Sequence, residues 1–200
     1  MSSAIPDDAA CIRMHLEEGS KRSIIEHVCT VRMIAMAMGK RSGADLRLVS
    51  AGALLHDIGR SKTQGLFHVV EGVRIARQRG LPEPLIQIIQ RHIGAGFTWE
   101  EAKAMGLPEG DYMPQTLAEK IVCHADNLVK GAGGMQTLAE AEGEILRRGF
   151  PVTAERMRAM HQELSRACGA DVDRIVLSLR EKPDLSGPCA EYTCRPNARP

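Results

Sequence analysis

Aromatic side chains are scarce in this sequence: one Trp, two Tyr and three Phe make up 3% of its 200 residues. An excess of charge of one sign is missing as well, because 26 Lys and Arg face 25 Asp and Glu and leave a formal net charge of +1. A protein that holds nucleic acid along a broad surface needs a basic face and flat rings for bases to stack on. Neither is offered, so nucleic acid has no support as a general partner, although a local basic pocket is still allowed. No apolar run approaches the roughly 20 residues that cross a bilayer, and residues 1–8 lack the basic-then-apolar layout of a secretory signal. No membrane contact is expected, and the expected location is cytoplasmic.

Paired cysteines at structural-zinc spacing are also lacking. Of the six cysteines, Cys29 and Cys123 fall in apolar helical stretches and read as small buried residues, while Cys11 and Cys168 lie in more polar helices. Cys189 and Cys194 sit in a Pro- and Gly-containing stretch after Lys182. A disulfide, half of a metal site and an inert tail are the readings open there. With no second pair to complete a zinc site, the inert or adventitiously oxidised tail is favoured.

What the sequence does have is hydrophobic residues, 44% of the total, recurring at three- and four-residue steps. Such steps put one apolar stripe on each helix. Asp7 or Asp8 caps a first helix that Gly19 closes. Ile24, Ile25, Val28, Val31, Ile34, Ala35 and Met38 mark a second, ending at Gly39. A third starts near Asp45 and carries Leu46, Val49, Ala53, Leu54 and Leu55. Further helices run from His68 to Gly80, from Pro82 to His92, from Thr98 to Gly106 and from Gln115 to Gly131. Met135 to Arg148 is another, and Thr153 is expected to cap a last pair of helical stretches ending near Arg180. No stretch alternates as a strand would. The expected fold is all-α: one domain over residues 1–182, its core motifs between 20 and 150, and a flexible Cys-containing tail at 183–200. Met33, Met36 and Met38 share a face that reads as core or as a homodimer interface.

The third helix delivers His56 and Asp57 side by side, followed by Ile58, Gly59, Arg60, Ser61 and Lys62. Adjacent residues on a regular helix point about 100° apart, so the pair can grip one ion only at a helix end. Gly59 is expected to supply that end by turning left-handed. Alone, the pair reads equally as a capped helix end. His27, His68, His92 and Asp126 change this, because each lies at a helix terminus or on an apolar face, and the six positions come from five helical segments. Inward side chains from separate helices are what build a metal site in a bundle core. A shell of imidazole and carboxylate suits Fe, Mn, Zn, Co or Ni better than calcium.

His27, then His56-Asp57, then Asp126 resembles the H…HD…D signature of the HD superfamily of metal-dependent phosphohydrolases. His56-Asp57-Ile58-Gly59 is similar to its HDIG form. The segments around His56–Lys62, His68–Gly72, His92–Gly96 and Glu119–Val129 resemble a mostly archaeal group of HDIG-domain proteins. The resemblance implies that His27, His56, Asp57 and Asp126 hold one divalent ion, and that Asp57 bridges to a second held by His68 and His92. It further implies an activity on phosphomonoesters or phosphodiesters of nucleotides or related small molecules. Asp57, Arg60 and Lys62 are then the expected catalytic residues, the two cations taking up phosphate charge. Two other readings are a paired-iron oxygenase and a nucleotide-binding module without turnover.

Several residues are expected outside that site. Arg91 and Lys130 flank ligands and read as solvated cations. His124 precedes Asp126 by two positions, about 200° around the helix, and is expected to face away. His15 and His161 are expected at the surface, with Glu26 a weaker partner for His27. The Gly131, Gly133, Gly134 cluster reads as a turn bordering the pocket and not as a phosphate-binding loop, since no strand and no Gly-Lys-Ser/Thr accompany it.

Overall fold

Helical periodicity is realised in ten α-helices among the described residues of the computed structural model, which describes residues 4–182 and 187–192. In order these are α1 (Asp8–Glu17), α2 (Arg22–Ser42), α3 (Leu46–Leu55), a 3-10 turn (Ile58–Ser61), α4 (His68–Gln78), α5 (Glu83–Arg91), α6 (Trp99–Ala104) and α7 (Leu117–Asn127). A hairpin of β1 (Val129–Lys130) and β2 (Gly134–Met135) follows. Then come α8 (Leu138–Arg147), α9 (Pro151–Cys168), α10 (Val172–Glu181) and a 3-10 turn at Gly187–Cys189. The fold is all-α, as the periodicity requires. Residues 183–186 and 193–200, Cys194 among them, lie outside the described residues.

Side-chain caps start most of the helices. Asp7, Asp45, Thr98, Thr116, Thr137 and Asp171 each accept hydrogen bonds from first-turn amides, satisfying donors that a helix start otherwise leaves bare. The long helix α2 is the centre of the packing. One side of it joins Ile34 and Met38 to Val49, Ile121, Val122 and Leu164. The other joins Ile25 and Val28 to Leu54, Leu55, Ile75 and Ile89. Met33 and Met38 are buried in the monomer and Met36 packs against the same core, so this methionine face is core.

Five local expectations are corrected by the structure. Gly39 does not end α2, which continues to Ser42 and is closed by left-handed Gly43. A Cβ at Gly39 would come 3.1 Å from Leu46, so this glycine serves the close approach of α3. The helix bearing Asp126 stops at Asn127, short of Gly131, and the glycines after it form the hairpin, with Val129 opposite Met135 and Lys130 opposite Gly134. Thr153 caps nothing, because α9 already starts at Pro151. His15 and His161 are buried, not superficial. His15 satisfies both ring nitrogens internally, with Ser20 Oγ at 2.8 Å and the Leu54 carbonyl at 2.7 Å. Finally, Cys29 is not a lone buried thiol. It forms a disulfide with Cys189, and Arg22 holds the Glu191 carbonyl at 2.9 Å, so the described part of the C-terminal segment is fastened along α2.

Candidate metal centre

Helix α3 ends at Leu55 and gives way to the 3-10 turn, with His56 still in helical geometry and Asp57 at φ −99°, ψ 14°. That change of winding lets two adjacent side chains converge. Gly59 does not turn left-handed, since it is absent from the positive-φ positions. Its role is space: a Cβ there would run into the backbone of His68 and Gly72. The first turn of α4 can therefore lie directly on the 3-10 turn, which brings His68 to Asp57.

Around this point the structure gathers His27 from α2, His68 from the start of α4, His92 from the end of α5 and Asp126 from α7. Within the overlapping groups His27–His56–Asp57, His56–His92–Asp126 and Asp57–His68–His92, one donor atom of each residue lies within 4.8 Å of the others. His27 Nε2 is 2.9 Å from Asp126 Oδ1, and His68 Nε2 is 3.1 Å from Asp57 Oδ1. His92 Nε2 and His56 Nε2 each stand 3.5 Å from a carboxylate oxygen, of Asp57 and Asp126 respectively.

The opposite ring nitrogens explain why these atoms suit a cation. Nδ1 of His56, His92, His68 and His27 meets the carbonyl of Ala53, Ile89, Gly65 and Gly131 at 2.8, 2.8, 2.5 and 3.0 Å. A carbonyl only accepts, so each Nδ1 carries a proton and Nε2 is the nitrogen turned inward, where it can offer a lone pair to a cation. Burial, opposed by the neighbouring Asp57 carboxylate, lowers the pKa of His92 to about 4, which keeps that ring neutral. Burial works to raise the Asp57 carboxyl, but the His56, His68 and His92 imidazoles hold it well below the usual range. The centre thus collects acceptors facing acceptors. His56 Nε2 and Asp57 Oδ1 are buried without any hydrogen-bond partner, an expensive state unless a cation sits among them. These residues fit a divalent transition ion.

The centre opens on one side into a cleft of about 510 Å³, reached by His27, Asp57, Arg60 and Asp126. Arg60 Nε donates to Asp57 Oδ2 at 2.5 Å, so one expected cation stands at the centre. Lys62 is not brought there. Its Nζ is 3.0 Å from both the carbonyl and the carboxylate of Glu18, because the 3-10 turn points successive side chains to different sides. Arg91 is spent on Asp111 and Glu119, each at 3.0 Å. Glu26 pairs with Arg22 at 2.8 Å and does not orient His27. His124 faces away, buried against His161 at 3.0 Å.

The cleft is also lined by residues that no sequence motif marks, among them Asn127, Gln136 and Arg148. Lys130, read as solvated, lines the cleft too and pairs with Glu144 at 2.9 Å. Nothing but their position at or after the end of α7 could have marked them, since the hairpin and α8 line the cleft only in the folded chain.

Residues 24–131, over half of the chain and carrying all six of these side chains, match the HD domain family. The chain belongs to the HD domain family. A relative named tRNA (cytidine(56)-2'-O)-methyltransferase, from Thermoplasma volcanium, is 41% identical over 171 residues, 86% of this chain and 50% of that protein. A second of the same name from Picrophilus torridus is 42% identical, over 88% of this chain and 51% of that protein. The chain spans about half the length of these curated relatives. An uncharacterised protein of Methanocaldococcus jannaschii is 50% identical over 114 residues, 54% of this chain and 68% of that protein. Among solved structures, the HD domain of the L. monocytogenes phosphodiesterase PgpH aligns with a TM-score of 0.57 at 19% identity, covering 86% of this chain and 97% of that one. That similarity establishes a shared HD fold.

Proposed function

We propose that this HD domain is a metal-dependent phosphohydrolase acting on a phosphate ester of a nucleotide or a related small molecule. The observation that carries the reading is the pair of orphaned buried acceptors, His56 Nε2 and Asp57 Oδ1, set where four imidazoles and two carboxylates converge at the end of a cleft. His27, His56, Asp57 and Asp126 would hold one ion, and Asp57, His68 and His92 a second. Fe, Mn, Zn, Co and Ni all suit these donors. Bound there, a divalent ion supplies Lewis acidity, activating water near neutral pH and drawing charge from phosphoryl oxygens.

The chain's own residues account for the remaining work. Arg60 uses Nε to fix Asp57 and has further N–H donors for phosphoryl oxygens, a fork that matches phosphate geometry. The carbonyls of Ala53, Ile89, Gly65 and Gly131 fix the imidazoles in the ligating tautomer. A cleft of about 510 Å³ has room for a nucleoside phosphate as well as for phosphate itself. One PgpH HD-domain structure holds cyclic-di-AMP, a nucleotide phosphodiester, which supports this substrate class.

The name of the methyltransferase relatives is not carried over. Their aligned half covers 86–88% of this chain and so most of residues 24–131, the HD domain; their remaining half lies outside the match. We take residues 1–182 as the functional unit and the cytoplasm as its location.

The test is elemental analysis of the purified protein, with assays of phosphate release from AMP, cyclic di-AMP and a short RNA in added manganese. Close to two transition ions per chain with manganese-stimulated cleavage of one probe is the expected result. Tight metal binding without cleavage of any phosphate ester would overturn it, and two irons with oxygen consumption would replace it by the oxygenase reading.

A further inference from the structure

The cleft is lined by two chemically different sets of side chains. His27, Asp57, Arg60 and Asp126 form one; Val129, Ala141, Ile145 and Met157 add apolar surface, and Lys130, Gln136 and Glu144 line it too. Phosphate accounts for the first set only. Arg148, the residue that closes α8, lines the same cleft. Gly149 follows at φ 84°, a left-handed turn that folds the chain back so that Phe150 lies beside the side chain it follows. The Arg148 guanidinium sits 5.8 Å from the centre of the Phe150 ring, within the range of a cation–π contact. Among the described residues the guanidinium makes no salt bridge and no side-chain hydrogen bond. In a sequence with three Phe, Phe150 is 43% exposed, and its ring supports a cation that lines the cleft.

We infer that Arg148, backed by Phe150, is the nucleobase subsite of this cleft, stacking its guanidinium plane on the base of a nucleotide whose phosphate lies beside Asp57. The inference rests on the phosphohydrolase reading for its orientation and deepens it by naming what selects the substrate. A flat guanidinium braced by an aromatic ring stacks on any base, and the apolar wall beside it suits a base and not a second phosphate. Lys130 competes for neither role, being held by Glu144. Arg148 is the group in contact with substrate, and Phe150 is a positioning residue acting through it.

The test compares binding of AMP, UMP and ribose 5-phosphate to the manganese-loaded full chain by calorimetry. The two nucleotides are expected to bind at least about tenfold tighter than ribose 5-phosphate, which has the phosphate and the sugar but no base. Arg148→Ala and Arg148→Lys should shrink that advantage to about twofold while leaving ribose 5-phosphate binding unchanged, lysine failing because it keeps the charge and loses the plane. Phe150→Ala should give an intermediate loss that Phe150→Tyr restores. Equal affinity of the three probes in the wild type, no measurable binding of AMP, or an advantage that survives Arg148→Ala overturns the inference. So does an equal loss for all three probes, the mark of a phosphate contact. Binding is read whether or not an ester is cleaved. A base-dependent affinity through Arg148 without turnover would defeat the hydrolase reading alone.

Discussion

His68 Nε2 stands 3.0 Å from His92 Nε2, two ring nitrogens from different helices whose Nδ1 atoms both face carbonyls. Both are also within 3.5 Å of Asp57 Oδ1, so these three residues form one donor group, which overlaps the others through Asp57 and His92. Replacing His68 or His92 with Ala is expected to remove one ion of two and leave the other, whereas Asp57→Ala, which touches both groups, should abolish metal binding and turnover. Metal content per chain measured for the three variants decides it; an Asp57→Ala protein retaining two ions would end the shared-carboxylate account.

Arg60 and Lys62 should separate in kinetics. Arg60→Ala is expected to keep the metal and lower kcat/KM by about 100-fold, the order of loss when a donor to a developing negative charge is removed. Lys62→Ala should change turnover by less than about twofold, and stability by less than about 1 kcal/mol, because its partner is Glu18 in a partly exposed pair. Steady-state assays with metal analysis compare the two, and a large loss of turnover in Lys62→Ala would contradict the geometry.

Gly59→Ala tests the contact between the 3-10 turn and α4. A methyl group aimed at the His68 backbone must push α4 away, at a cost of about 1–3 kcal/mol. The expected outcome is a lower thermal midpoint together with loss of the ion that depends on His68. An unaffected metal content would mean that α4 has slack to spare.

His15 makes the protein acid-sensitive. Burial, against the Leu54 hydrogen bond, lowers its pKa to about 4, so between that value and the unfolded value near 6.5 the unfolded chain binds the extra proton. Stability is therefore fully present above about pH 6.5 and is lost as pH falls toward 4, by about 2 kcal/mol between pH 7 and 5 from this residue. Urea unfolding at the two pH values should show the drop, and His15→Gln, which does not titrate, should show a shallower one.

The disulfide spans 160 residues of sequence and restricts the unfolded chain more than the folded one. Cys189→Ser is expected to cost about 2–4 kcal/mol in oxidising buffer and little in dithiothreitol. Equal stability of the two proteins in oxidising buffer would show that the bridge is not formed in solution.

The six converging side chains were legible in the sequence because the helical stripes and the His-Asp pair are local patterns: period and residue type are written in neighbouring positions. The same locality explains the errors. Lys62 follows Arg60 by two residues and looked equivalent to it, but a 3-10 turn sends the two side chains apart. His15 and His161 had no neighbouring motif, and their burial comes from helices α3 and α7, far along the chain.

By itself the sequence determined the helical class, the apolar faces and the donors a cation would find, since these follow from backbone periodicity and side-chain chemistry. Tertiary structure alone decided the contact of His27 Nδ1 with the Gly131 carbonyl, the meaning of Gly59, the Cys29–Cys189 pairing and the placing of Arg148 beside the cleft. Each of these depends on atoms distant in sequence coming within hydrogen-bonding, bonding or van der Waals distance, and no local pattern encodes that distance.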